Sequence, residues 1–213
     1  MISKHELEQI NELLLDAEKK SHSELVPMVV ERSDDYPAAH FRSAIIVSFI
    51  FSLALYFSPL TIINPIYFLW IQVPGLFLGY LLGNVSWVTK LLTTKREIEI
   101  EVYQRAIEAF FEHNLHMTKR HNGVLIFVSL LEHKIQIITD SGVKAKIDQK
   151  IWDEIVNDFG QKVSKSTLSE ALKEAISSAA IVLEKYFPLD GKEKSNELKN
   201  DIILDTSFRF FHS

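Results

Sequence analysis

Cysteine is missing from this chain of 213 residues. That excludes disulfides and thiolate metal sites, and it fits a reducing compartment without requiring one. Charge is missing from one place: between Ser43 and Thr89 there is no Asp, Glu, Lys or Arg, although both flanks are densely charged. No basic stripe interleaved with aromatics occurs, and a net charge of −5 gives no support to nucleic-acid binding. The first forty residues lack the basic–apolar–small order of a signal peptide, so no cleavage is expected. A glycine-rich phosphate loop, a paired DxD and a CX5R nucleophile are all absent.

What is present is the uncharged block itself. Its roughly 47 residues are enough for two membrane crossings at about 20 apolar residues each. Pro59, Asn64 and Pro65 split it into spans of about 42–58 and 66–87. In hydrocarbon each segment must satisfy its own backbone hydrogen bonds, so the expectation is a transmembrane helical hairpin over 42–88. The alternative is a buried helix pair inside a soluble core. Gly75, Gly79 and Gly83 recur every fourth residue, as do Ala44, Ser48 and Ser52. Facing rows of small residues let two backbones approach closely. The expected register sets Ala44 against Gly83, Ser48 against Gly79 and Ser52 against Gly75; the glycine row could instead join two chains. Pro74 should kink the second helix, and Trp87 sits where an interfacial aromatic belongs.

Arg32 and Arg42 precede the first span, Lys90, Lys95 and Arg96 follow the second, and the turn between them has no basic residue. Positive charge stays inside, which predicts an inner-membrane protein with two spans and both termini cytoplasmic.

Outside the block, Ser3 and Glu6 form a capping box with Ile2 and Leu7 as its hydrophobic staple. Leu7, Ile10, Leu14 and Ala17 mark one helical face. LVPMVVE from Leu25 reads as a strand, with Pro27 suited to a strand start or an edge. Residues 97–113 form an amphipathic helix. Val124 to Leu130 is a continuous apolar strand and Ile135 to Thr139 a second one. The two pair as a hairpin around Glu132 and His133, and Asn122-Gly123 supplies turn chemistry before the first. A helix bearing Ile151, Trp152, Ile155, Val156 and Phe159 follows, with Gly160 near its end. Thr167 and Glu170 cap another, which ends before Pro188. The tail over 191–213 is read as extended or poorly ordered, and its aromatic end, Phe208, Phe210 and Phe211, docks on either the domain or the bilayer surface. A first strand left alone would expose an unpaired apolar edge. Residues 1–36 and 97–190 are therefore read as one discontinuous soluble domain carrying the hairpin as an insertion.

The stretch GVLIFVSLLEHKIQIITDSGV, the tryptophan helix and the helix ending in YFP together resemble the TPM domain family. AIEAFFEHNLHMTKRHNG and SELVPMVVERS extend the likeness, as does the Asn196–Leu198 NEL. The resemblance implies an α/β fold, an αβα sandwich around a small mixed sheet. It also implies roles that range, among relatives, from acid phosphatase and metal binding to accessory or assembly factors of membrane complexes.

Three carboxylates are candidates for a divalent cation: Asp140 at the strand end, with Glu132 or Asp148. Asp140 can equally cap a turn before Gly142. His113, His116 and His121 lie at spacings of three and five, and they either ligate an ion or complement a helix C-terminus. Thr118, Lys119 and Arg120 form an anion-contacting loop. The function expected is a membrane-anchored, cytoplasm-facing binding or accessory module of a membrane complex, without a required cofactor. Its partners are the bilayer, another membrane protein or a second copy. The alternative is a membrane-tethered, metal-dependent phosphatase.

Overall fold

The computed structural model describes residues 4–59, 64–189 and 202–205. The expected Ser3–Glu6 capping box, the NEL stretch and the aromatic end at Phe208, Phe210 and Phe211 lie outside them. The chain divides into two compact units, Met1–Ser33 with Glu101–Ser213, and Asp34–Ile100.

The first unit is mixed α/β, mostly helical, around a small four-stranded mixed sheet. Its elements are α1 (Lys4–Glu18), β1 (Glu24–Val30), the greater part of α6 (Lys95–Glu112), β2 (Gly123–Ser129), β3 (Lys134–Thr139), α7 (Ser141–Lys144), α8 (Gln149–Val163), α9 (Leu168–Tyr186) and β4 (Ile203–Asp205). The strand order is β3-β2-β1-β4. β1 is parallel to β2 and to β4, and β2 is antiparallel to β3. Every residue of β2 is buried, as a continuous apolar run flanked by strands requires.

Alternation divides the side chains between two faces. Leu25, Val29, Val124, Ile126, Val128, Ile135 and Ile137 pack in one core with Ile10 and Leu14 of α1, Trp152, Ile155 and Phe159 of α8, and the Leu172–Ile176–Leu183 stripe of α9. Burying side chains of that size contributes about 1.5–3 kcal/mol each. The opposite face carries Val26, Met28, Val30, Leu125 and Phe127, and α6 supplies its own buried stripe of Val102, Ala106, Ala109 and Phe110. The Thr167–Glu170 capping box forms as its spacing predicts.

Of the described tail residues, Ile203–Asp205 is extended, one of the two states expected, and adds a strand to β1. Arg105 of α6 holds it there, donating to the Asp205 carboxylate at 3.1 Å. Pro27 is consequently not on an edge strand. It occupies the last β1 position before β4 joins at Met28, where its missing N–H costs no ladder bond on that side.

The second unit contains α2 (Pro37–Tyr56), α3 (Tyr67–Trp70), α4 (Gln72–Leu82) and α5 (Ser86–Leu92). Among the described residues, α2 is the one helix long and apolar enough to cross a membrane by itself. The second half of the uncharged block differs from the single helix expected over 66–87. It breaks at Ile71, where Pro74 cannot donate to the Trp70 carbonyl. It then bends by 102° between α4 and α5. Val85 is extended at the bend, and the Thr89 hydroxyl donates to the freed Gly83 carbonyl at 2.6 Å.

The small-residue rows do meet, but one helical turn away from the expected register. A Cβ on Gly75 would lie 2.7 Å from Ser48 Cα, one on Gly79 2.6 Å from Ala44 Cα, and one on Gly83 2.6 Å from His40 Cα. Ser52 therefore lies beyond the glycine row, its hydroxyl 3.4 Å from the Phe68 carbonyl. At Asn64 the side chain accepts from Ile66 N–H at 3.0 Å and the carbonyl from Tyr67 N–H at 3.2 Å, so Asn64-Pro65 opens the returning helix.

Candidate functional site

At one end of the sheet, the segment from Thr118 to Asn122 folds against the start of β1 and the end of β3. Gly123 begins β2 directly beneath it: a Cβ there would stand 2.3 Å from the Leu115 carbonyl oxygen, so no other residue fits. The left-handed backbone of the turn belongs to His121 (φ 50°), not to the Asn122-Gly123 pair.

Asn122 is the hub that sequence reasoning missed. Buried, it donates through Nδ2 to the His22 carbonyl at 2.6 Å, while its N–H donates to the Thr118 hydroxyl at 3.1 Å. Its carbonyl accepts from Glu24 N–H at 3.3 Å. An asparagine before a glycine signals turn chemistry, and that signal concealed its bridging role.

Asp140 follows β3 and caps α7. Its Oδ1 accepts from Ser141 N–H at 2.6 Å, and its Oδ2 lies 3.3 Å from His121 Nδ1. Gly142 N–H donates to the His121 carbonyl at 2.9 Å, and a Cβ on Gly142 would meet that oxygen at 2.6 Å. The turn and the loop are thus locked together. Of the anion-contact candidates, Thr118 is buried and spends its hydroxyl on the loop, whereas Lys119 and Arg120 are exposed beside His121.

The carboxylates do not converge. Glu132 sits in the β2–β3 turn, accepting from Ser33 N–H at 3.0 Å and from the Ser129 hydroxyl. Asp140 is at the other end of β3, which puts the two carboxylates about 20 Å apart at the rise of a strand. Asp148 caps α8, accepting from Lys150 N–H at 3.0 Å. Of the histidines, His116 stacks near Phe111 at 4.8 Å between ring centroids, and only His121 approaches Asp140. No group of three His, Cys, Asp or Glu side chains among the described residues is placed to hold a metal ion.

Residues 86–182 match the sequence model of the TPM domain. Over that span the chain is similar to the TPM domain. The Asn122 hub, the Asp140 cap and the β2–β3 hairpin all fall inside the matched span. A solved structure described as the BA42 protein from the psychrophilic bacterium Bizionia argentinensis is similar in fold. It has a TM-score of 0.59 and 19% identity, with 96% of each chain covered. No curated protein matches the chain.

The turn carries a guanidinium, an ammonium and an imidazole beside the Asp140 cap. Among the described residues no second carboxylate joins Asp140 there to hold a hard cation.

Proposed function

We propose that this chain is a membrane-anchored TPM-domain protein whose α/β unit faces the cytoplasm and serves a membrane complex as a binding or accessory module. The observation that carries this reading is the surface of α2. At about 1.5 Å per residue its 20 residues match the hydrocarbon thickness of about 30 Å. Only 28% of its most apolar stretch is buried, which favours a lipid-facing helix over the core helix of a soluble domain. Phe41, Ile45, Phe49 and Leu53 all point outward. A returning span through α3 and α4, seated on α2 along the glycine row, completes an anchor with two crossings. The basic residues Arg32, Arg42, Lys90, Lys95 and Arg96 flank it on one side, which favours cytoplasmic termini.

Single cysteines placed at Ile66 and at Lys165 in the cysteine-free chain test the proposal. In intact cells an impermeant thiol reagent should label position 66 and spare position 165, and alkaline carbonate should leave the protein in the membrane pellet. Labelling of 165 alone would reverse the orientation, and release by carbonate would refute the anchor.

A further inference from the structure

Both ends of α5 are fastened to α2 at one level. Gly83, just before α5, packs on His40, with room for no Cβ. Leu92, its last residue, gives its carbonyl to Arg42 Nη1 at 2.7 Å. Residues 40 and 42 are separated by only about 3 Å along a helix axis. The intervening helix must therefore run across α2 rather than along it. The 102° bend agrees, since it turns α5 just past a right angle to α4. Val88 and Thr89 are buried, while Trp87 is 69% and Leu91 72% exposed. Those two side chains stand one turn apart, on one face. Lys90 is exposed beside them, and Lys95 and Arg96 follow.

We infer that α5 lies in the plane of the bilayer surface, with Trp87 and Leu91 seated between headgroups and acyl chains and Lys90 among anionic headgroups. This rests on the membrane reading above. The level of residues 40–42 is where the charge-free run begins, so a helix crossing there sits at the water–lipid boundary. Phe41, 62% exposed, continues the apolar surface of α2 up to the same level. Tryptophan favours that depth because its ring is amphipathic. A lysine stem runs along apolar surface while its ammonium reaches the phosphates. The second uncharged segment thus ends as an in-plane helix rather than crossing as far as Trp87.

Nitroxide labels on single cysteines at Phe49, Leu91 and Lys165 test this in vesicles of three parts phosphatidylcholine to one part phosphatidylglycerol. The ratio of oxygen to nickel-chelate accessibility should be highest at 49, several-fold above the aqueous value at 91, and lowest at 165. If 91 matched 165 while 49 stayed deep, the in-plane helix would be refuted and the anchor would stand. If 49 itself were open to the nickel reagent, the membrane reading would fail first. A label at 91 shielded from both reagents would assign this face to protein instead of lipid. Should that label disturb folding, Trp87 fluorescence gives a second readout, taken as the difference between a Trp70→Phe chain and a Trp70→Phe/Trp87→Phe chain, since Trp152 is common to both. Lipids brominated near the headgroup should quench it more than lipids brominated near the chain end. Equal quenching by the two lipids, or quenching by neither, would overturn the inference.

Discussion

Arg42 and Glu97 are joined by two hydrogen bonds across 55 residues, Nη2 to Oε1 at 2.6 Å and Nη1 to Oε2 at 3.0 Å. The same guanidinium reaches the Leu92 carbonyl, and the same carboxylate accepts from Thr94 N–H at 2.8 Å. Glu97 N–H in turn donates to the Thr94 hydroxyl at 3.2 Å, closing a capping box at the start of α6. One planar fork therefore fixes the foot of α2, the end of α5 and the beginning of α6. A lysine could not hold all three, because bidentate geometry needs the guanidinium plane.

Glu97 is held at about 2, first by the hydrogen bonds from Arg42 and next by the Thr94 N–H, against the opposing effect of burial. A carboxyl depressed in the folded state contributes stability above its ordinary range near 4.5, and that contribution is lost as pH falls toward 2. Both side chains are substantially exposed, so solvent screens the pair and its contribution is modest. In detergent, Glu97→Gln should melt lower than the parent by a constant margin between pH 7 and pH 5. The margin should shrink as pH is lowered below 4. A gap that widens on acidification would show that the carboxylate is not held by Arg42.

Two glycines predict opposite signs. At Gly79 a methyl group would stand 2.6 Å from both Ala44 Cα and the Ser43 carbonyl oxygen, and backbone cannot yield as a side chain can. Gly79→Ala should cost about 1–3 kcal/mol through overpacking. At Gly160, inside α8, nothing lies within 4 Å of the added carbon. Gly160→Ala should stabilise by about 0.5–1 kcal/mol because alanine is the better helix former. Thermal melts of both proteins check the pair. A neutral Gly79→Ala would mean that α2 and α4 do not touch at this register.

The strands and long helices of the α/β unit are legible in the sequence, because each carries one clear period and its own punctuation: the β2 apolar run, the α9 stripe, Thr167 before Glu170. What escaped notice was set by tertiary partners. Ile203–Asp205 becomes a strand only because Arg105 and the free side of β1 receive it. The seam between α2 and α4 has a four-residue repeat, so neighbouring registers look alike in the sequence. Arg42 reads from sequence as a topogenic charge, and its grip on Glu97 has no short-range signature. Asn122 is a similar case: its three bonds reach residues up to 100 positions away. The candidate carboxylates were close in sequence, yet β3 is long enough to keep Asp140 and Glu132 apart.

Glu132 is buried, 6% exposed, and its two oxygens receive Ser33 N–H and the fully buried Ser129 hydroxyl. Glu132→Ala would leave both donors without that acceptor, at about 1–3 kcal/mol for each group stranded. Glu132→Gln keeps one carbonyl oxygen for Ser33 and should lose less than half as much. Chemical denaturation of the two variants orders them. A glutamine variant as damaged as the alanine one would show that the charge, rather than the acceptor geometry, is what the turn requires.

The sharpest division between a structural and a catalytic role falls at Asp140. As a cap, its essential feature is an oxygen for Ser141 N–H, which asparagine also offers. Asp140→Asn should therefore melt close to the parent, whereas Asp140→Ala should lose about 1 kcal/mol. As a cation ligand, the essential feature would be the charge, and asparagine should then abolish a magnesium- or calcium-induced rise in melting temperature. Besides Ser141 N–H the carboxylate meets the exposed His121 ring at 3.3 Å, and Glu132 and Asp148 are each committed to backbone donors elsewhere. A lone carboxylate is a weak site for a hard cation. The expected outcome is that neither cation shifts the melt of the parent by more than it shifts Asp140→Asn. Hydrolysis of p-nitrophenyl phosphate should be equal in the two proteins as well. Metal-dependent turnover present in the parent and lost in Asp140→Asn would replace the accessory-module reading with that of a membrane-tethered phosphatase.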